Sequence, residues 1–381
     1  MPSFPRNLRA LLAELVAIPS VNPEGDPGGS VAGEAAMAAA VAALLRGMGA
    51  DVELRMAARG RPNVIGVFEP AQRATTTIAL VPHLDTVGVA GMTVPPFQLT
   101  QRSGRLHGRG ACDTKGPMAA LLWALRGWAR STVRRTSGIR WVFVATAGEE
   151  EGSLGAQALT TSGFKADFAV ALEPTDLKVV HAAKGILRVW IEATGRACHG
   201  AQPHRGDNAV YKLLPLALAL RDQVAPALHA RRHPLLGSAS LNLGVMAGGR
   251  DINVVPDFAR LGLDVRIHPG CEGNEALAQI EQARKQHAPM AALRVHRRGP
   301  SFVTPRFHPW ARRLRGVGRG WATADWFCDA NIFAANGMPA VAFGPGSIVQ
   351  AHTRDEFITE TALRDGADAF AAFLRSGAVP D

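Results

Sequence analysis

The sequence predicts an α/β fold with a smaller α+β domain inserted into it. In residues 1–182, short apolar segments alternate with helical segments, which is typical of a sheet covered by helices on both faces. In residues 183–299, apolar and polar residues alternate with a period of two, as in a sheet with one open face. After Pro300 the first pattern returns. We therefore predict a discontinuous domain, 1–182 and 300–381, which carries an inserted domain at 183–299.

The discontinuous domain is expected to begin with an amphipathic helix at 6–18, where apolar residues recur at helical spacing. Residues 20–23 end this helix, because the residue before a proline disfavours helical geometry. The other predicted elements are strands at 63–68, 77–81, 140–146, 167–172 and 339–343, and helices at 118–130, 310–316, 324–336 and 360–375.

The inserted domain is expected to be ferredoxin-like, because its elements follow the order strand, helix, strand, strand, helix, strand. In the third strand, Ala259, Leu261 and Val265 point to one side of the sheet, and Arg260 and Asp264 to the other. One face of this sheet should therefore be covered and the other open. The predicted elements are strands at 187–193, 239–246, 259–266 and 291–297, and helices at 208–224 and 272–287.

The composition excludes several classes of protein. The chain has 381 residues, of which 47% are hydrophobic and 19% charged, enough for a large core and two domains. The net charge is +10, but the basic residues are spread along the chain, so we expect no nucleic-acid partner. The four cysteines lie far apart, which argues against a disulfide framework and a cysteine-based zinc module. We find no signal peptide or apolar run of membrane-spanning length, and expect a cytoplasmic protein without membrane contact.

Carboxylates and imidazoles occur in five loops that border predicted strands of the discontinuous domain. Loops beyond strand ends are where an α/β sheet gathers functional residues, so these side chains can converge at one edge of the sheet. The candidate residues are His83, Asp85, Asp113, Glu149, Glu150, Glu173 and His352.

Two histidines with several carboxylates suit one or two divalent ions, with Zn²⁺ first and Co²⁺ or Mn²⁺ as substitutes. A metal offsets the cost of burying neighbouring acids as anions. Asp85 is placed two residues after His83, where its carboxylate is expected to hydrogen-bond the second ring nitrogen. Glu149 beside Glu150 allows one carboxylate to bind metal while the other takes a proton from water.

These motifs together resemble the dinuclear zinc metallopeptidase and deacylase family that includes acetylornithine deacetylase, succinyl-diaminopimelate desuccinylase, aminoacylase-1 and carboxypeptidase G. The resemblance spans the whole chain and implies a zinc-exopeptidase-like catalytic domain with a lid or dimerisation domain at 183–299. It is carried by His83-Leu84-Asp85, GRGACDTKG, GEEEGSLGA, Glu173-Pro174, His352, and the segments 197–203, 206–209, 253–256 and 264–266.

The resemblance implies a role for each candidate in the discontinuous domain. Asp113 would bridge two Zn²⁺ ions, and the peptide bond after it would be cis. His83 and Glu173 would complete one metal site, and Glu150 and His352 the other. Glu149 would be the catalytic general base, with Asp85 as a second catalytic residue.

Further residues are assigned to the substrate by the same resemblance. His199 would stabilise the oxyanion across a homodimer, and Arg266 and Asn253 would hold the substrate. The loop containing Gly344, Gly346 and Ser347 would bind the substrate carboxylate.

The function expected from the sequence is that of a metal-dependent amidohydrolase. It would remove the acyl group from a small N-acyl amino acid with a free carboxylate, as acetylornithine deacetylase does. One alternative is a dipeptidase or carboxypeptidase of the same family. Another is a catalytically silent protein that binds an amino-acid conjugate.

Overall fold

A computed structural model describes residues 4–25, 33–71, 73–136 and 138–376. The ends of the predicted discontinuous domain, 1–3 and 377–381, lie outside the described residues. The chain forms two compact units. The first contains the chain up to His181, Val303–Ala322 and the chain from Cys328; the second contains Ala182–Phe302 and Thr323–Phe327. Within the described residues, no helix is long and apolar enough to cross a membrane.

The strands range from two to ten residues in length, and several directly precede the candidate residues. In chain order they are β1 (Asp51–Ala58), β2 (Arg61–Phe68), β3 (Thr76–Val81), β4 (Thr100–Arg102), β5 (Arg105–His107), β6 (Ile139–Ala145), β7 (Phe168–Ala171), β8 (Val179–Ala183), β9 (Gly185–Thr194), β10 (Arg232–His233), β11 (Gly237–Ser238), β12 (Ser240–Gly248), β13 (Phe258–Ile267), β14 (Ala292–Gly299), β15 (Phe302–Val303), β16 (Trp321–Ala324), β17 (Ala340–Ala342) and β18 (Phe357–Thr359).

The helices alternate with these strands. They are α1 (Leu8–Ala17), α2 (Ala35–Gly47), α3 (Lys115–Ala129), α4 (Val133–Thr136), α5 (Leu154–Thr161), α6 (Ala209–Ala219), α7 (Ala225–His229), α8 (Gly273–His287), α9 (Pro309–Val317), α10 (Asp329–Ala335) and α11 (Glu360–Arg375).

The main sheet is mixed, and its centre is parallel. Its strand order is β1-β2-β6-β3-β7-β17-β8-β15, with β16 paired to β8. The central strands β6, β3, β7 and β17 run parallel to one another. The carboxyl ends of these four strands therefore lie at the same edge of the sheet, and the loops that follow them are brought together there.

The sheet is covered on both faces, as predicted. Adjacent residues on one strand point to opposite faces, and both members of the pairs Ile78–Ala79 and Phe143–Val144 are buried. Helices α1, α2, α3, α9 and α11 contribute to the core on one of these faces. Because the central strands are buried on both sides, they read as continuous apolar runs in the sequence.

The second unit contains a four-stranded antiparallel sheet of order β12-β13-β9-β14. Leu261, Leu263 and Val265 of β13 form a core with side chains of α6 and α8. The alternate residues Arg260, Asp264 and Arg266 are exposed or half-buried. The alternation expected at 259–266 is therefore present, with one covered and one open face.

The start of one helix and the presence of strand β1 differ from the sequence-based prediction. The helix predicted at 324–336 begins only at Asp329, because Trp321–Ala324 forms strand β16. Strand β1, which pairs only with β2 in the sheet and has no fully buried residue, was not predicted. Its apolar residues Val52, Leu54 and Met56 do alternate with charged residues, so the period-two signal of a strand was present in the sequence and was overlooked.

Candidate metal centre

The loops after β3, β6 and β7 carry His83, Glu149, Glu150 and Glu173 to one edge of the main sheet. Asp113 lies in the loop that leads into α3, and its peptide bond to Thr114 is cis. His352 lies in the segment before β18. The parallel strand ends thus bring together residues that are far apart in sequence.

Asp113 stands between the two histidines. Its Oδ1 atom lies 3.0 Å from Nε2 of His83, and its Oδ2 atom lies 3.3 Å from Nε2 of His352. The same His352 nitrogen lies 2.9 Å from Oε2 of Glu150. One carboxylate therefore offers one oxygen to each of two sets of ligands.

These two sets have the composition of metal sites. His83, Asp113 and Glu173 form one set, and Asp113, Glu150 and His352 the other; within each set the ligand atoms lie within 4.8 Å of one another. Oε1 of Glu150 is buried and has no hydrogen-bond partner in the part of the chain that the structure describes. Nitrogen and oxygen donors of this kind, with a buried carboxylate oxygen left over, fit divalent cations such as zinc.

The carboxylates raise one another's pKa values. Burial and the charge of Glu173 raise the pKa of Glu149 well above its ordinary value. Burial and the charge of Asp113 raise the pKa of Glu150 to about 7, and they also raise the pKa of Glu173. A bound cation relieves this repulsion, so the electrostatics of the cluster favour metal.

The pKa values of the two histidines are raised as well, because the neighbouring carboxylates stabilise the charged rings. Hydrogen bonds to Asp113 and Glu150 raise the pKa of His352 to about 10. Burial disfavours the charged ring of His83, but its contacts with Asp113 and Asp85 prevail and raise its pKa. Burial likewise opposes ionisation of Asp113, yet hydrogen bonds from His352 and His83 lower its pKa below the ordinary value. Without metal, protons on the histidines and glutamates offset the repulsion between the neighbouring carboxylates.

Asp85 contacts His83 differently from the sequence-based expectation. Nδ1 of His83 lies 3.0 Å from the backbone carbonyl oxygen of Asp85 and 3.5 Å from its carboxylate. The carboxylate instead accepts hydrogen bonds from the backbone amides of Glu149 and Glu150 and from the side-chain amide of Asn22. Asp85 thus orients the His83 ring through its main chain and holds the glutamate loop through its side chain.

Glu149 and Glu150 differ in their partners. Glu150 contacts His352, whereas the Glu149 carboxylate makes no hydrogen bond within the described residues. A carboxylate that is not held by a partner is available to accept a proton. Which of the two glutamates binds metal and which takes a proton stays a prediction.

The glycine loop after β17 lies beside the Glu173 turn. The backbone amide of Gly344 donates a hydrogen bond to Oγ1 of Thr175, and Ser347 pairs with the same threonine in an isolated antiparallel β-bridge. A Cβ atom on Gly344 would lie 2.7 Å from the carbonyl oxygen of Glu173, so only glycine fits this approach. The structure therefore places the predicted carboxylate-binding loop, Gly344 to Ser347, in the same unit as the metal ligands.

The other predicted substrate residues lie in the second unit. The backbone amide of Gly200, next to His199, donates to the carbonyl oxygen of Asn253, so these two exposed segments are adjacent. Nδ1 of His199 accepts a hydrogen bond from the amide of Ala201. Arg266 donates from Nε to Asp264 at 2.9 Å. Asp264 and Arg266 therefore form an ion pair on the open face of the sheet.

Two further charged groups beside the centre were missed by sequence reasoning. Asp329 is buried at the start of α10 and accepts a hydrogen bond from Oγ1 of Thr146 at 2.6 Å. Its charge helps to raise the pKa of Glu149, after burial and Glu173. The signal was an acidic residue at a helix start, but the predicted helix 324–336 placed it in a helix interior.

The second missed group is a buried ion pair, in which Nη2 of Arg61 lies 2.6 Å from Oε1 of Glu34. A Cβ atom on Gly148 would lie 2.7 Å from the same arginine nitrogen, so Arg61 packs directly behind the glutamate loop. The sequence holds no local signal for this pair, because its members are separated by helix α2 and strand β1.

Comparison with known proteins identifies this arrangement. Residues 79–376 match the family model described as Peptidase family M20/M25/M40. The chain belongs to this family. The M20 chain is 30% identical to acetylornithine deacetylase of Erwinia tasmaniensis over 344 residues, which cover 86% of each protein. It is 29% identical to acetylornithine deacetylase of Vibrio cholerae, covering 82% of this chain and 84% of the relative.

Solved structures share the fold at lower sequence identity. The M20 family metallo-carboxypeptidase Sso-CP2 from Sulfolobus solfataricus has a TM-score of 0.84 and 16% identity, covering 98% of this chain and 99% of that one. Human carnosine dipeptidase 1 has a TM-score of 0.76 and 18% identity, covering 97% and 96%. Together with the family match, these relationships make this M20 protein a metal-dependent hydrolase of amide bonds.

Proposed function

We propose that this enzyme removes the acyl group from a small N-acyl amino acid that bears a free carboxylate, as an acetylornithine deacetylase does. The arrangement of Asp113, with one oxygen directed to each of two ligand sets, carries the proposal of a two-metal hydrolytic site. The identity to acetylornithine deacetylases supports deacylation over peptide hydrolysis.

We further propose that two zinc ions occupy the site. His83, Asp113 and Glu173 would hold one ion, and Asp113, Glu150 and His352 would hold the other. Bound zinc supplies Lewis acidity, which polarises the substrate carbonyl and lowers the pKa of water. Nitrogen and oxygen donor sets distinguish poorly between divalent metals, so Co²⁺ and Mn²⁺ are expected substitutes.

Glu149 acts as the general base in this proposal. It takes a proton from the attacking water and returns it to the leaving amine. Its free carboxylate and raised pKa support this role, because a base must carry the proton between the two steps. His199, Asn253 and Arg266 remain proposed substrate-binding residues, as does the loop from Gly344 to Ser347.

A homodimer formed through the second unit is also proposed. Tyr211, Leu214 and Leu218 are exposed at helical spacing on α6, and β12 lies at the edge of its sheet with Val245 and Met246 exposed. Unpaired strand edges and apolar stripes are surfaces on which a second copy can pair. The cytoplasmic location expected from the sequence stays a prediction.

The test is amine release from a panel of N-acetyl, N-succinyl and N-formyl amino acids beside unblocked dipeptides. The zinc-loaded enzyme is compared with Glu149→Ala as the blank. Preference for N-acyl amino acids is the expected result. Preference for dipeptides would contradict deacylation and favour a dipeptidase with the same metal site. No release from any compound would contradict both and favour a binding protein.

A further inference from the structure

Glu356 is a buried carboxylate outside the metal-ligand sets, with only 1% of its surface exposed. Its Oε2 atom accepts hydrogen bonds from Nη1 of Arg109 at 2.7 Å and from the backbone amide of Gly110 at 3.0 Å. Its Oε1 atom accepts hydrogen bonds from the backbone amides of Cys112 and Asp113, both at 2.9 Å. Four donors from one five-residue segment thus converge on a single side chain.

The last of these donors belongs to the residue that both metal sets share. Asp113 presents its two carboxylate oxygens to His83 and His352, while its own backbone amide is held by Glu356. The position of the Asp113 main chain is therefore fixed by a hydrogen bond that comes from outside the centre. Partners of this kind behind metal ligands set the orientation of the ligand and the affinity of the site.

Glu356 is itself held by strand pairing. It directly precedes β18, which pairs antiparallel with β5, the strand just before the Asp113 loop. The carbonyl oxygen of Glu356 accepts a hydrogen bond from the amide of Gly108 at 3.1 Å, and the carbonyl oxygen of Asp355 lies 2.9 Å from Nδ1 of His107. The backbone carbonyl and the carboxylate of Glu356 therefore both accept hydrogen bonds from residues 108–113.

Glu356 also follows His352 by four residues. The segment that carries His352 is therefore joined to the segment that carries Asp113 by one buried side chain. These two residues belong to the same ligand set, although 239 positions separate them in the sequence (352 minus 113).

We infer that Glu356 is a positioning residue that sets the separation of Asp113 and His352 and thereby the metal affinity of both sites. The inference rests on the proposed two-metal hydrolase. A carboxylate is required, because all four partners are donors and each of its oxygens accepts two of them. A glutamine of the same size would direct its NH₂ group at two N–H donors.

The decisive experiment compares Glu356→Gln with Asp355→Asn as the matched control. Asp355 is the adjacent residue and is exposed, so its substitution removes the same charge from the same segment without removing these hydrogen bonds. The dissociation constant for Zn²⁺ is measured by competition with a chromophoric chelator, at a temperature where circular dichroism shows each protein folded. We expect Glu356→Gln to weaken both zinc equivalents about 10–100-fold, and Asp355→Asn to bind as the wild type does.

Glu356→Asp provides a second variant in case the glutamine variant does not fold. The aspartate keeps the charge, but its side chain is shorter by one CH₂ group. This variant therefore tests whether the position of the carboxylate matters. We expect this variant also to bind zinc more weakly than the wild type. At saturating zinc its kcat should be lowered and its KM little changed, a result that loss of folding stability alone would not produce. Zinc affinities of either folded variant equal to the wild-type value would overturn the inference. Because zinc affinity is measured without substrate, this outcome is distinct from a failure of the proposed deacylase activity.

Discussion

Oδ1 of Asp85 lies 3.0 Å from the backbone nitrogen of Glu149 and accepts a hydrogen bond from it. The other carboxylate oxygen accepts hydrogen bonds from the amide of Glu150 and from Asn22. One side chain therefore fixes both glutamates, of which one is proposed as a metal ligand and the other as the base.

Asp85→Asn should therefore lower turnover without abolishing folding. Its amide would place an NH₂ group against backbone donors, and the glutamate loop would shift away from its position. We expect kcat to fall about 10–100-fold with KM little changed. Steady-state kinetics on the best substrate measures this, with the exposed surface substitution Asp51→Asn as the control. Turnover of Asp85→Asn within twofold of wild type would contradict the positioning role.

Glu149→Gln should retain its metal and lose nearly all activity. The glutamine keeps the size of the side chain but cannot take up a proton, and we expect a loss of about 10²–10⁴-fold in kcat. Elemental analysis and kinetics on the same preparation separate the two effects. Glu151→Gln in the same loop serves as the comparison and should stay active. If Glu149→Gln retained more than about a tenth of the wild-type rate, the base would have to be another residue.

The shared position of Asp113 predicts a difference in metal stoichiometry between two variants. His352→Ala removes a ligand from one set only, so it should retain about one zinc ion per chain. Asp113→Asn removes a ligand from both sets, so it should retain almost none after dialysis. Elemental analysis of folded protein checks this. Equal zinc content in the two variants would show that Asp113 does not serve both sites.

Metal binding should release protons and strengthen as the pH rises. In the metal-free cluster, the pKa values of Glu150 and His352 are raised to about 7 and about 10, and those of Glu173 and His83 are also raised. Metal requires the deprotonated ligands, so protons bound at neutral pH must leave. Affinity therefore increases with pH until His352 has lost its proton.

Zinc titration calorimetry near neutral pH, in two buffers of different ionisation enthalpy, counts these protons. We expect more than one proton released per chain, and fewer for His352→Ala. Zinc binding with the same apparent enthalpy in both buffers would mean that the ligands are already deprotonated.

Loss of the exposed apolar stripe on α6 should produce a monomer. Tyr211 and Leu218 are 70% and 51% exposed, and lysine at both positions would place charges on the proposed interface. Light scattering on a sizing column should show half the wild-type mass. Leu54→Lys, at another exposed apolar position on β1, is the control and should leave the mass unchanged. A wild-type protein that is already monomeric would contradict the proposed dimer.

The apolar runs of β3, β6 and β7 were predictable because strands buried on both faces leave a continuous apolar signal in the sequence. The acidic and histidine residues after them then pointed to one sheet edge, since parallel strands end together. Seven candidate residues could be named in this way without coordinates, and the resemblance to the metallopeptidase family then implied which five of them bind metal. The same reasoning missed β1, whose apolar residues alternate with charged ones instead of forming a continuous run.

What the sequence by itself determined was therefore the order of the strands along the chain and the chemical types of the groups at their ends. Only the tertiary structure decided which of these groups touch and which residues hold them. The Asp85 carboxylate accepts hydrogen bonds from the glutamate loop and lies 3.5 Å from Nδ1 of His83, and Glu356 accepts a hydrogen bond from the amide of Asp113 although it lies in another part of the chain. Such contacts leave no local pattern, because they depend on distances between segments that the sheet brings together, and not on spacing along the chain.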